Sequence, residues 1–179
     1  MYRRLVTSVR SLPCSLFIDV IEFLIDTSTI TTLRQISPQA STLPIYVQDA
    51  FDLQQFSDFV AARTDFVVED HHSYFVFSQP EDTNYAAQDT AEVQTSIYSQ
   101  LATASNAQRG NIIVGEWSCA LTPMSLANST DQLTVRQLFC EGQQQTYANT
   151  TAGWSFWSTY LDQDYLLLIQ LISFRQVIT

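Results

Sequence analysis

Apolar positions along this chain follow two alternating periods. Residues 43–51 (LPIYVQDAF), 66–70 (FVVED), 111–118 (NIIVGEWS) and 152–160 (AGWSFWSTY) are short runs rich in β-branched and aromatic residues, and each predicts a strand. Between them the period lengthens. Residues 52–63 put Phe56, Phe59 and Val60 on one helical face, residues 86–104 repeat Val93, Ile97 and Leu101 every fourth position, and residues 131–148 carry Leu133, Leu138 and Phe139. Residues 16–25 (LFIDVIEFLI) read as a further helix, and Pro38 closes a helical segment after TLRQIS. Strands alternating with helices of this length predict parallel βα units and an α/β fold. The strands are mostly apolar, as expected where both faces of a sheet are covered.

Each predicted strand turns polar or aromatic at its C-terminal end: Gln48-Asp49, Asp70-His71-His72, Glu116 and Trp157. In a β/α barrel that end carries the active site, so these side chains are expected at one mouth. A carboxylate at the end of a buried strand needs a partner or a task. In Gly115-Glu116-Trp117-Ser118 the task that fits is nucleophilic attack on an anomeric carbon, and the plainer reading is a capping or ion-paired glutamate. His71-His72-Ser73-Tyr74 offers imidazole and phenol donors for sugar hydroxyls and for a carboxylate, against the plainer reading of a loop histidine pair. Trp154-Ser155-Phe156-Trp157 offers a platform for a sugar ring or a piece of core, with Trp154 and Phe156 expected to face opposite neighbours.

Composition narrows the function classes. The 179 residues are 46% hydrophobic and 12% aromatic, enough for one domain with a real core and too ordered in character for a disordered chain. Net charge is −10, with every positive charge an arginine, which argues against a nucleic-acid partner. No run reaches the roughly 20 apolar residues of a membrane span, and Asp19, Glu22 and Asp26 interrupt the N-terminal apolar stretch, leaving no convincing signal peptide. Cys14, Cys119 and Cys140 lack metal-ligand spacing, so no metal or other cofactor is expected; one bridged pair and three buried thiols remain open. The sequons Asn128-Ser129-Thr130 and Asn149-Thr150-Thr151 lend modest support to a secretory route.

The segments LPIYVQDAF, VVEDHHSYFVFS, NIIVGEWS and AGWSFWS, in this order and at about these separations, resemble the C-terminal half of fungal exo-β-1,3-glucanases of glycoside hydrolase family 5. The likeness runs from about Leu33 to Asp164. It implies a partial (β/α)8 barrel comprising roughly the last four βα units. It also implies an unrecognised helical segment over 1–30, the half-barrel over 31–165 and an apolar tail over 166–179. By the resemblance Glu116 is the nucleophile, His72 and Tyr74 contact sugar and nucleophile, Trp157 is the aromatic floor, and Asp49 lies in an HDAF-like motif in which Gln48 replaces the usual histidine. The implied reaction is retaining hydrolysis of terminal β-1,3-linked glucose from glucan or laminari-oligosaccharides, outside the cell or in the wall.

The family's acid/base glutamate stands in an Asn-Glu-Pro motif, which this sequence lacks; Glu22, Glu69, Glu81, Glu92 and Glu141 stand in other contexts. A whole barrel takes about 250 residues. The expectation is therefore a truncated hydrolase whose isolated chain lacks the acid. Its alternatives are a non-catalytic glucan-binding remnant and, with less support, an unrelated structural α/β domain.

Overall fold

The computed structural model describes residues 28–36, 42–77 and 83–157. The expected helix over 16–25 and the apolar tail over 166–179 lie outside them. Helix α1 (28–36) is followed by β1 (Ile45–Gln48), α2 (Leu53–Ala61) and β2 (Val67–Ser73). Then come α3 (Ala86–Glu92), a π-helical stretch Val93–Ile97, α4 (Tyr98–Ala107) and β3 (Ile112–Trp117). The short α5 (Pro123–Leu126), α6 (Gln132–Thr150) and β4 (Trp154–Phe156) complete the order. All three strand pairings are parallel and the sheet order is β1-β2-β3-β4.

Among the described residues, helices cover one side of this sheet. Val47 and Glu69 are register partners, as are Glu69 and Ile112 and then His71 and Val114, so these residues point the same way. Val47 and Val67 pack with Phe56 and Val60 of α2 and with Ile30 of α1. Ile112 and Val114 pack with Leu101 and Ala104 of α4 and with Cys140 and Tyr147 of α6. Doubly wound sheets carry helices on both faces. One-sided cover with strands in strict sequence order is instead what a segment of a (β/α)8 barrel looks like, and the open four-stranded sheet is compatible with one. Helix α1 spans the expected boundary at residue 30, with Ile30 1% exposed in the core and Arg34 bonded to Asp65 Oδ2, Leu43 O and Phe66 O.

Two local features place the site. The first is a bulge. His71 pairs with Val114 but His72 pairs with Glu116, and on the other side Val114 pairs with Trp154 while Trp117 pairs with Phe156. Gly115 is thus one extra residue in β3. In an unbulged strand of the same sequence Glu116 would share the helix side with Val114; the bulge gives that side to Trp117 and lets Glu116 join His72. Any side chain there would have to displace Asp70, because a Cβ would lie 1.8 Å from Asp70 Oδ1. The second is the core around Trp117, which meets Tyr147, Trp154 and Phe156 edge to face at centroid distances of 5.4, 5.4 and 5.0 Å. Such pairs contribute roughly 0.5–1.5 kcal/mol each beyond buried area. Trp154 and Phe156 therefore share a neighbour and a side; the expected opposite facing conflicts with the two-residue period of a strand.

Cys119 and Cys140 form a disulfide with Cα atoms 5.0 Å apart. It ties the loop after β3 to α6, and Cys14 lies outside the described residues. The His71-His72 pair lies within β2, not in a loop. In α6 the buried stripe is Phe139, Cys140, Gln143, Thr146 and Tyr147, whereas Leu133 and Leu138 are exposed. Gln143 and Thr146 are buried because they are bonded: Gln143 Nε2 donates to Ser118 O, and Thr146 Oγ1 donates to Val93 O at the start of the π turn.

Candidate active site

The C-terminal ends of the four strands bring most of the expected residues together. Tyr74, directly after β2, donates from its hydroxyl to Glu116 Oε1. Loss of water around the ring, then this hydrogen bond and the Glu116 charge, push the Tyr74 phenol well above its ordinary range. The phenol stays protonated and remains a donor. His72 is the register partner of Glu116 on the same side of the sheet. Trp157 follows β4, its N–H bonded to Trp117 O at 2.8 Å, and its side chain is 61% exposed at the same end of the sheet.

Asp70 lies beneath this cluster, with Oδ1 3.8 Å from His72 Nε2. Its carboxyl accepts the Gly115 N–H. Burial pushes that carboxyl up; His72 and the Gly115 N–H pull it down, and Asp49 and Glu116 push it up again. The net shift is upward. Asp70 is thus a polar support for His72, in contact with the backbone immediately before Glu116.

Asp49 differs from its expected role. It is fully buried, so it does not face a bound sugar. Oδ2 accepts from His71 Nδ1 at 2.5 Å, and Oδ1 accepts from Phe51 N at 2.9 Å. A carboxylate only accepts, so His71 carries its proton on Nδ1. The turn Asp49 holds is strained, with Ala50 and Phe51 at φ of 49° and 65°, and Gln48 Oε1 accepts from Ala50 N at 3.0 Å. The turn presents Phe51, 64% exposed, edge-on to the His72 ring at 6.3 Å.

Sequence reasoning missed two aromatic side chains at this mouth. Phe51 is absorbed there into a strand run. Phe77, 76% exposed and 5.3 Å from the Tyr74 ring, is absorbed into an apolar VFS tract. A large aromatic in a loop directly after a strand end is the signal that would have found both. Among the described residues no cluster of three or more His, Cys, Asp or Glu could hold a metal ion, and no helix is long and apolar enough to cross a membrane.

No family model matches the chain. Over 125 residues, 66% of its length, it is 30% identical to glucan 1,3-beta-glucosidase 3 of Schizosaccharomyces pombe. The match supports a glucanase-like relationship. It extends over 25% of that protein, so the chain spans about a quarter of the length of this curated relative.

Proposed function

We propose that this chain carries the nucleophile half of a retaining β-1,3-glucan hydrolase. The observation that carries the reading is the Glu116–Tyr74 hydrogen bond, made possible by the bulge that turns Glu116 toward His72. A retaining nucleophile must be ionised, aimed at the anomeric carbon and held by a donor that is not itself consumed. Tyr74 is that donor, and Trp157 provides the apolar face for the sugar ring. Asp49 acts through the turn it holds rather than by touching sugar. The named relative acts on glucan, which supports β-1,3-glucan or laminari-oligosaccharides as the substrate class. The Cys119–Cys140 disulfide supports an extracellular or wall location, because such bridges persist in oxidising compartments.

Retaining hydrolysis needs a second carboxyl about 5–5.5 Å from the nucleophile. Glu92 and Glu141 lie on helices on the far side of the sheet, and Glu69 is buried on that side too. Among the described residues no other glutamate lies on the Glu116 side of the sheet, and Asp70 beneath it is engaged by the Gly115 N–H, so in our reading none of them supplies the acid. A second reading, glucan binding without turnover, is favoured by the same missing acid.

The purified chain is incubated with laminarin and with an activated aryl β-glucoside. A burst of aryl group release from the activated substrate alone, lost in Glu116→Gln, followed by slow turnover, is the expected result: a good leaving group needs no protonation, but without a base water attacks the glycosyl-enzyme slowly. Binding of laminari-oligosaccharide without turnover of either substrate supports the second reading. Neither binding nor turnover overturns both.

A further inference from the structure

Glu69 is the buried acid that the candidate site does not use. It lies on the helix-covered side of β2, fully buried, two residues before His71, and its register partner Val47 stands two residues before Asp49. Helix α4 ends beside it. Arg109 and Gly110 adopt φ of 59° and 82°, Gly110 N returns to Ser105 O, and this left-handed termination tucks Gln108 inward until it too is fully buried. Gln108 Nε2 donates to Glu69 Oε2. The other two oxygens of the pair, Glu69 Oε1 and Gln108 Oε1, are buried without a hydrogen-bond partner.

A carboxylate there would leave two unpaired acceptors buried in the core, which is costly on both counts. A carboxylic acid removes both costs, since its O–H donates to Gln108 Oε1 and closes a ring of two hydrogen bonds. Charge balance points the same way. The titratable groups around Glu69 are Asp49 and Asp52 from the β1–α2 turn and His71 on its own strand, while Arg109 turns away to Ala61 O and Arg63 O. The His71 imidazole is taken up by Asp49, and among the described residues no arginine is bonded to Glu69. Burial first, and then Asp49, push the Glu69 carboxyl up to about 8, with Gln108 opposing and Asp52 adding.

We propose that Glu69 is a positioning residue, held as a neutral acid by Gln108 so that Asp49 keeps the His71 N–H to itself and holds the turn that presents Phe51 to His72. The neutral state of Glu69 does not rest on the glucan reading and is tested without any substrate. A group whose folded value is raised contributes stability that is fully present below its unfolded value, 4.5, and is lost as pH rises toward 8. Unfolding of the full chain is measured across that range for wild type and for Glu69→Gln, whose amide reproduces the neutral ring. The wild-type folding equilibrium constant is expected to fall relative to that of E69Q by up to about tenfold per pH unit, levelling above the folded value. Equal pH dependence in the two proteins overturns the proposal. If E69Q does not fold, the carboxyl carbon of Glu69, followed by NMR in wild type, decides alone: titration near 8 supports it, and titration near the ordinary glutamate value overturns it.

Discussion

A single methyl group at Gly115 tests how the site is built. In Gly115→Ala the new Cβ would lie 1.8 Å from Asp70 Oδ1, 2.7 Å from Cγ and 2.9 Å from Oδ2, far inside contact distance. The Asp70 carboxyl must swing away and give up the Gly115 N–H. A hydrogen bond to a charged group is worth about 1.5–3 kcal/mol. An off-rotamer side chain adds about 0.5–1.5 kcal/mol. The lower freedom of alanine in the unfolded chain returns about 0.4–1 kcal/mol. The net loss is about 2 kcal/mol, or about 4–8 °C in Tm for a chain of this size. Denaturant unfolding followed by circular dichroism measures it, with an unchanged m-value as the sign that both end states are preserved. The cause is isolated by repeating the substitution in an Asp70→Ala background. There the methyl group meets no carboxyl, and G115A should be neutral or slightly stabilising. A cost below about 0.5 kcal/mol in the wild-type background, or the same cost in both, refutes the reasoning.

Three further outcomes follow from the described contacts. Tyr74→Phe removes the donor to Glu116 and should lower kcat/KM on an activated aryl β-glucoside by about ten- to a hundredfold, at about 1.5–3 kcal/mol for a bond to a charged group. Trp157→Ala should leave the unfolding midpoint nearly unchanged, since the ring is 61% exposed. It should weaken laminari-oligosaccharide binding several-fold in calorimetry, at about 0.5–1.5 kcal/mol for a lost ring contact. Replacing Cys119 and Cys140 together by serine opens a loop with a sequence separation of 21. Denaturation should then show a loss of about 3 kcal/mol, the entropy of closing a loop of that length.

Much of the fold was legible because strand runs and helical periods differ so clearly. Three strands lie inside the predicted runs, while β2 runs three residues past its predicted end to Ser73, and Phe56 and Val60 face the core as the 52–63 pattern requires. The inward face of α6 was not legible. Its buried stripe includes Gln143 and Thr146, which a hydropathy pattern assigns to solvent, and they are buried because partners 25 and 53 residues away satisfy them. The candidate site was legible as a set of strand ends, because a polar residue closing an apolar run has few places to go. The orientation of Glu116 was not derivable from alternation, which counts residues and knows nothing of an inserted one. A glycine inside a strand was the available sign. Asp49 was legible as a polar strand end but not as a buried one, since only the fold shows that it holds a turn. The pairing of Cys119 with Cys140 depends on the crossing of α6 over the end of β3, a tertiary fact.

The inserted glycine gives β3 two grammars. Before it, the core positions are even-numbered, Ile112 and Val114; after it they are odd-numbered, Trp117, Cys119 and Leu121. Tolerance to substitution along this stretch therefore changes phase at residue 115. An aligned sequence lacking that one residue would keep its glutamate beside the histidine of the neighbouring strand in an unbulged ladder, whereas pairing residues 112–117 without a bulge would send Glu116 into the helix-packed core.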